Sequence, residues 1–303
     1  MSLEDGYNQY RRELIEAGLL VPSGVPGVFG LSDRFEQVVE HFDRYVVRCA
    51  ADRKPEVMRF PPVLSRESYQ RTDHLDTFPQ LIGSVHSFTG DERAHLAIID
   101  KKQRGDDWSA GLPATDVMLT PAVCYPLYPT LRGTLPAEGR TVDLRGFVFR
   151  HEPSIDPARM QIFRMHEFVR AGTPAQALEH RDYWLKLAEK ILLAVGLDAK
   201  PVVANDPFFG RGGKVMAVSQ REQTLKYELV VPITSSEKPT AVASSNLHLD
   251  HFGLPFEIKT PDGQVAHSAC VGFGLERVAL ALLKKHGFDT ARWPVAVRSI
   301  LEM

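Results

Sequence analysis

Cysteine is scarce in this sequence, with three among 303 residues. Three cysteines cannot build a disulfide framework, and we therefore expect a protein of the reducing cytoplasm. Long apolar runs are also lacking: the longest, 191–195 and 278–283, are far shorter than the roughly 20 residues that span a bilayer. The N-terminal segment has early acidic residues and lacks the apolar core of a secretory signal. We expect no membrane partner.

Neither sign of charge is in marked excess. Lysine and arginine number 36 against 38 aspartates and glutamates, which leaves a formal charge of −2. Proteins that bind nucleic acids tightly usually have a basic face or tail. The total charge therefore gives no support for a nucleic-acid partner, although a total does not describe a local basic patch. The apolar content of 44% is ordinary for a folded domain.

Apolar periodicity predicts helices around a strand-rich middle. Helices are predicted over 7–17, 33–51, 113–117 and 174–195 and from Phe273 to Gly287. Strands are predicted over 58–63, 143–150, 162–170, 201–204, 214–219, 225–233, 240–245 and 264–270. In the helix 33–51, Asp33 and Glu36 have the spacing of a capping box. Because strands and helices do not alternate regularly, we predict an α+β fold with a largely antiparallel sheet flanked by helices. We divide the chain into an N-terminal helix and connector, 1–31, and a main domain, 32–303.

Three segments combine charged residues, aromatic rings and glycine. They are Phe149-Arg-His-Glu152, Phe163-Arg-Met-His-Glu-Phe168 and Gly272-Phe-Gly-Leu-Glu-Arg277. Alone, an Arg-x-Glu at a strand end is typical of a surface ion pair, and a glycine-rich helix start is typical of close packing. Together and in this order, with a hairpin between the first two, they resemble motifs 2 and 3 of class II aminoacyl-tRNA synthetases. The helix 33–51, which leads to Pro61-Pro62, resembles motif 1, the dimer-forming element.

The resemblance covers nearly the whole chain and is closest to the amino acid:carrier protein ligases. It rests on Arg59-Phe-Pro-Pro-Val63, Phe78-Pro79, Cys124-Tyr-Pro126, Asp206-Pro-Phe-Phe-Gly210, Ala217-Val-Ser-Gln220 and Ala266–Arg277. These ligases are similar to the catalytic core of atypical zinc-dependent seryl-tRNA synthetases and lack a tRNA-binding domain. The resemblance implies a homodimer that activates a small amino acid, such as glycine or alanine, with ATP. The aminoacyl group would pass from the adenylate to the phosphopantetheine thiol of an acidic carrier protein.

The resemblance also implies an ATP site. Arg150 would hold the α-phosphate and Arg277 the γ-phosphate, as the two catalytic residues. Arginine suits this task because its planar fork donates two hydrogen bonds to phosphate oxygens and stays charged. In-line attack on a phosphate needs mainly positioning and charge neutralisation.

Four further side chains would complete the ATP site. Phe168 would stack on adenine, with Arg277 covering the other face, and Glu152 would accept from the adenine amino group. Arg164 would be a further phosphate or adenylate contact, and Glu228 would bind the Mg²⁺ that accompanies ATP. On a regular strand Arg164 and Phe168 share one face, and residue 167 points away from them. We therefore expect a bulge or strong twist near 166–168.

Cys124, Glu167 and Cys270 match the zinc ligands of the same family. Two thiolates and a carboxylate leave a fourth position open, as in catalytic zinc sites, and the amino group of the amino acid would take it. Taken without the resemblance, separated cysteines are more often buried small apolar residues. Cys49 lies on the apolar stripe of the helix 33–51 and is interpreted as core. His248 and two nearby histidines have no acidic partner, so no second metal is assigned.

The remaining predictions concern the substrates. Val123, Ser245 and Ser268 are expected to line the amino-acid pocket, and Arg181 or Lys186 to meet an acidic carrier protein. Two other functions stay open: aminoacylation of tRNA, and regulation by a catalytically silent paralogue. The short segment before residue 32 and the balanced charge argue against tRNA. The intact phosphate-binding arginines argue against a silent paralogue.

Overall fold

A computed structural model describes residues 2–206, 209, 218, 220 and 223–303. Its helices are α1 (Leu3–Glu16), α2 (Asp33–Ala50), α3 (Arg66–Gln70), α4 (His74–Thr77), α5 (Glu92–Arg104), α6 (Pro174–Ala194), α7 (Leu275–His286) and α8 (Val295–Leu301). Its strands are β1 (Leu20–Pro22), β2 (Phe29–Leu31), β3 (Glu56–Met58), β4 (Val63–Ser65), β5 (Ser84–His86), β6 (Ala114–Leu119), β7 (Gly133–Thr134), β8 (Arg140–Phe149), β9 (Ile162–Gly172), β10 (Lys200–Val203), β11 (Lys226–Val231), β12 (Thr240–Leu249), β13 (Ile258–Lys259) and β14 (His267–Gly274). Most of the predicted strand 214–219, and at least half of the segments 206–210 and 217–220, lie outside the described residues.

A seven-stranded sheet forms the centre of the fold, in the order β10-β11-β12-β14-β9-β8-β3. Every neighbouring pair in it is antiparallel except β3 and β8. Sequence-distant strands lie side by side, so that β14 pairs with β9 and carries the third motif next to the second. The α+β architecture and its largely antiparallel sheet are as predicted.

Helices cover one face of this sheet. Phe42 of α2 packs edge-on against Phe273 of β14, with ring centroids 5.9 Å apart. Phe168 of β9 stacks on Trp184 of α6 at 4.3 Å. Tyr10 of α1 donates a hydrogen bond to a main-chain carbonyl of α7, so the N-terminal helix joins the same core. The boundary at residue 31 stays a prediction. Within 2–206 and 223–303, no helix has the length and apolar content needed to cross a membrane.

Three local predictions are wrong. The predicted strand 58–63 is divided between β3, which ends at Met58, and β4, which begins at Val63, because Pro61 and Pro62 lack the main-chain N–H groups that a strand donates. The segment predicted as a helix at 113–117 lies in the strand β6, which pairs with β4 and β5. Alternating β-branched residues, Thr115 and Val117, favour that conformation once neighbouring strands supply hydrogen bonds. The cap of α2 is Ser32, whose side chain accepts from the main-chain N–H of Phe35, and the predicted box began one residue too late.

Candidate active site

The face of each residue on β9 decides which side chains can form a site. Register is constant along the pairing of β9 with β8 and with β14, so there is no bulge at 166–168, and the alternative of a strong twist stays a prediction. Side chains therefore alternate strictly along the strand. Phe163 and Glu167 point to the face opposite the helices, and Arg164 and Phe168 point toward the helices.

Phe168 does not present a face to a nucleotide. Its ring is fully buried between His166, at 4.7 Å, and Trp184, at 4.3 Å. Both sides of the ring are thus covered by side chains of the core. The expectation that Phe168 stacks on adenine is wrong.

Arg164 is likewise committed to the helix-covered face. Its guanidinium makes a two-pronged ion pair with Glu36 of α2, at 2.6 and 2.9 Å, and a further bond of 2.6 Å to Glu276 of α7. Burial lowers the pKa of Arg164, but these two carboxylates raise it overall. Because the donors of Arg164 are bonded to carboxylates on the helix-covered face, the predicted phosphate contact is wrong.

Two arginines and one aromatic ring come together on the opposite face. The guanidinium carbons of Arg150 and Arg277 lie 5.8 and 5.6 Å from the ring centroid of Phe163. Each arginine donates from Nε to a main-chain carbonyl, at 3.0 and 2.9 Å, which fixes its direction. Burial lowers the pKa of Arg277 to about 10, and the charges of Arg150 and Arg159 add to this. Neighbouring cations of this kind attract a polyanion.

Acidic residues border the arginine pair. Glu152 forms an ion pair of 3.0 Å with Arg159. The charges of Glu152 and Glu228 favour the protonated form of Arg277. Glu228 also lies 3.2 Å from the ammonium of Lys226, which pairs in turn with Asp206. These contacts place Glu152 and Glu228 near the arginines, as the resemblance implies, and leave their roles as predictions.

Cys124, Glu167 and Cys270 are buried on the same face, each with 4% of its surface exposed. Burial raises the pKa of Glu167, interactions with Cys124 and Arg150 offset part of the rise, and the net pKa is about 7. Burial, with the charge of Glu167, also raises the pKa of both thiols. Glu167 Oε2 has no hydrogen-bond partner among the described residues. In the same part of the chain, no three His, Cys, Asp or Glu side chains are spaced so that they could hold a metal ion. Cys49 packs against the core, as expected.

Several polar groups surround the sulfur of Cys270. Asn246 donates from Nδ2 to this sulfur at 3.4 Å, and His248 Nε2 lies 3.5 Å from it. The other ring nitrogen of His248 lies 3.0 Å from the hydroxyl of Ser268 and 3.3 Å from that of Tyr128. The hydroxyl of Ser268 is therefore engaged with the imidazole, and its contact with substrate stays a prediction.

The other predicted substrate residues have different outcomes. Ser245 is on the helix-covered face, where its hydroxyl donates to the main-chain carbonyl of Arg181, so it does not line the pocket. The guanidinium of Arg181 is itself buried and bonded to Asp182 and to a main-chain carbonyl, and it is not available to a carrier protein. Lys186 is exposed. Val123 is buried beside Gly146 on the same face as the thiols, and its contact with substrate stays a prediction.

Sequence reasoning missed Phe163, Asp206 and Lys226. A signal for Phe163 was present, because it lies four residues from Glu167 and shares its strand face. Asp206 was marked only by its place in the matched segment 206–210 and Lys226 by nothing, since the two meet where the chain leaves β10 beside β11.

Solved structures with the same architecture identify the class of fold. M. kandleri SerRS, in complex with A. aeolicus tRNASec, superposes with a TM-score of 0.83 at 23% identity, over 97% of this chain and 60% of that one. Prolyl-tRNA synthetase of Giardia lamblia, in complex with prolyl-adenylate, gives a TM-score of 0.70 at 13% identity, over 93% of this chain and 53% of that one. The protein has the fold of a class II aminoacyl-tRNA synthetase.

Sequence relatives then specify the family. Amino acid–acyl-carrier-protein ligase 2 of Bradyrhizobium diazoefficiens is 45% identical over 282 residues, which are 92% of this chain and 84% of that protein. Ligase 1 of the same organism is 40% identical over 280 residues. A type-2 serine–tRNA ligase of Methanococcus aeolicus is 30% identical, over 60% of this chain and 36% of its own length. No family model matches. The chain belongs to the amino acid–acyl-carrier-protein ligases.

Proposed function

We propose that this enzyme activates a small amino acid with ATP and transfers it to the phosphopantetheine thiol of a carrier protein. One observation carries the proposal. A cationic, aromatic cluster suited to a nucleotide and a buried thiol–carboxylate cluster lie on the same side of one sheet, opposite the helices. Arg150 links them, because its charge acts on both Arg277 and Glu167.

The first step joins two anions, so it depends on charge neutralisation. The carboxylate of the amino acid attacks the α-phosphorus of ATP, a new O–P bond forms, and the bond to pyrophosphate breaks. Arg150 and Arg277 neutralise the phosphates, which lowers the barrier without a protein nucleophile. Phe163 takes the role of adenine platform, with the guanidinium of Arg277 above the base. Glu152 accepts from the adenine amino group, and Glu228 helps to hold Mg²⁺.

Zinc is the second element of the proposal. Cys124, Glu167 and Cys270 would hold it, and the ion would bind and orient the free amino group of the substrate. Support comes from the chemistry of the donors: two thiols, a carboxyl group whose Oε2 has no hydrogen-bond partner among the described residues, and little exposure to water. The three donors have to draw together when the ion enters, since their present spacing does not form a ligand set. All three cysteines are free thiols, which suits the cytoplasm.

The second step is thioester formation. The thiol sulfur attacks the carbonyl carbon of the adenylate, a C–S bond forms, AMP leaves and the thiol proton is released. We propose that the acceptor is the carrier protein and that tRNA is not a partner. Of Arg181 and Lys186, only Lys186 is exposed and able to contact an acidic carrier helix.

A homodimer completes the proposal. Phe147 and Ile162 lie close together on the paired strands β8 and β9, with 47% and 45% of their surface exposed. Large apolar side chains grouped on one part of a surface favour contact with another protein surface. Light scattering should give the mass of two chains, and Phe147→Glu should shift it toward one.

Amino-acid-dependent pyrophosphate exchange, followed by transfer of labelled amino acid, tests the proposed reaction. Purified enzyme, ATP and each amino acid are incubated with holo-carrier protein, with the same carrier lacking its phosphopantetheine arm, or with total tRNA. We expect exchange with a small amino acid and label only on the holo-carrier. Label on tRNA instead would establish the seryl-tRNA synthetase-like alternative. Binding of amino acid without exchange would indicate a regulatory paralogue.

A further inference from the structure

The sulfur of Cys270 is contacted by two nitrogen-bearing side chains of one strand. Asn246 is the direct register partner of Cys270 across β12 and β14, and its amide nitrogen donates to the sulfur at 3.4 Å. A register shift between Leu247 and Leu249 brings His248 to the same sulfur, at 3.5 Å from Nε2. A neutral thiol is a weak acceptor, whereas a thiolate accepts N–H donors well.

The ring of His248 is oriented from its far side. Hydroxyl groups of Ser268 and Tyr128 both approach Nδ1, at 3.0 and 3.3 Å. A thiolate only accepts hydrogen bonds, so in a neutral ring Nε2 must carry the hydrogen and Nδ1 must be the acceptor. Either hydroxyl is able to donate to the single lone pair of that Nδ1. In this series of hydrogen bonds a hydroxyl donates to Nδ1 and Nε2–H donates to the sulfur, so every donor has an acceptor.

We infer that Asn246 and His248 are positioning residues of the zinc site, whose N–H groups donate to the sulfur of Cys270 and direct it toward the metal. This inference rests on the zinc site of the proposed function. Cys124, by contrast, is next to the carboxyl of Glu167. The two thiol ligands therefore have different hydrogen-bonding neighbours. Hydrogen bonds to a thiolate draw electron density from the sulfur, which leaves the bound metal more electrophilic toward an amine.

The contacts determine which substitutions test the inference. His248→Phe keeps a flat ring against Phe252, whose centroid is 5.2 Å away, and removes the N–H donor. His248→Gln returns a donor, and Asn246→Leu removes the other donor at similar volume. Ser268→Ala is the matched control, because the hydroxyl of Tyr128 still donates to the ring.

The measurements are metal affinity and the spectrum of the cobalt-substituted protein. The zinc dissociation constant is obtained with each full-length variant by competition with a chromophoric chelator, and thermal unfolding of the metal-free forms checks that they are folded. We expect His248→Phe and Asn246→Leu to bind zinc roughly 10- to 100-fold more weakly, as for other residues that support metal ligands. Their sulfur-to-cobalt charge-transfer band should move to lower energy, because an unsupported thiolate is easier to oxidise. His248→Gln should recover part of both losses, and Ser268→Ala should resemble the parent.

Two negative results have different meanings. Parent affinity and band position in both donor-deleted variants would overturn the roles of Asn246 and His248 and leave the zinc site standing. A parent protein that binds neither zinc nor cobalt through sulfur would overturn the zinc site and this inference together.

Discussion

Phe163 and Phe168 are five residues apart on one strand, and exchanging each for leucine separates nucleotide binding from stability. Phe163 lies beside both phosphate-binding arginines, whereas Phe168 lies between His166 and Trp184. Leucine keeps apolar volume at either position and removes the flat ring. Stacking of a base on an aromatic side chain contributes about 1–3 kcal/mol. With about 1.4 kcal/mol for each factor of ten, Phe163→Leu should raise the KM for ATP roughly 5- to 150-fold.

Phe168→Leu should act on a different quantity. Loss of its two ring contacts and the cavity left behind should cost about 1–3 kcal/mol of unfolding free energy, with little change in the KM for ATP. Pyrophosphate exchange at varied ATP concentration and chemical unfolding of the same preparations give both numbers. A large rise in KM for Phe168→Leu together with a normal KM for Phe163→Leu would refute the assignment of the two faces.

The other predictions concern charge, metal and pH. Arg277→Ala should lower adenylate formation roughly 10³-fold and Arg277→Lys should also be poor, since a point charge does not replace a fork; near-normal exchange would contradict this. Cys124→Ser should abolish the zinc that metal analysis finds in the parent and Cys49→Ser should keep it, and the reverse pattern would remove Cys124 from the site. Burial raises the pKa of Asp43, but hydrogen bonding and the charges of His166 and a nearby arginine lower it overall. Its contribution to stability is therefore present above its unfolded pKa and is lost as the pH falls, so Asp43→Asn should make unfolding free energy depend less on pH below about 4.

Element types follow from the sequence where an apolar pattern is long and regular. The predicted helices 33–51 and 174–195 differ from α2 and α6 by one residue. The strands β8 and β9 also match closely, because alternation over ten residues is distinctive. The short segment 113–117 carries too little pattern to separate a helix from a strand that is defined by its partners.

The sequence predicts which arginines form the site, but it predicts less well which side chains of each strand face it. Arg150 and Arg277 lie together because of strand pairing between distant segments, which the order of motifs implies. Phe168 was misplaced because two aromatic residues flank the same four-residue stretch, and only the strand register decides which of them faces the site. The prediction that Ser245 lines the amino-acid pocket was wrong for the same reason, since a one-residue step along a strand reverses the face.

Strand β9 thus divides stability and chemistry between alternate residues. His166 is fully buried, with one ring nitrogen bonded to Asp43 at 2.7 Å and the other 3.2 Å from Asp143, and it adjoins the proposed ligand Glu167. Asp43 and Asp143 on the helix-covered side hold the strand to α2 and β8 through His166, while on the other face Glu167 Oε2 has no hydrogen-bond partner within 2–206 and 223–303. Because a buried polar atom without a partner costs free energy, the network on one face offsets what the site on the other face costs. Substitutions at 164, 166 and 168 should therefore change stability first, and those at 163 and 167 should change activity first.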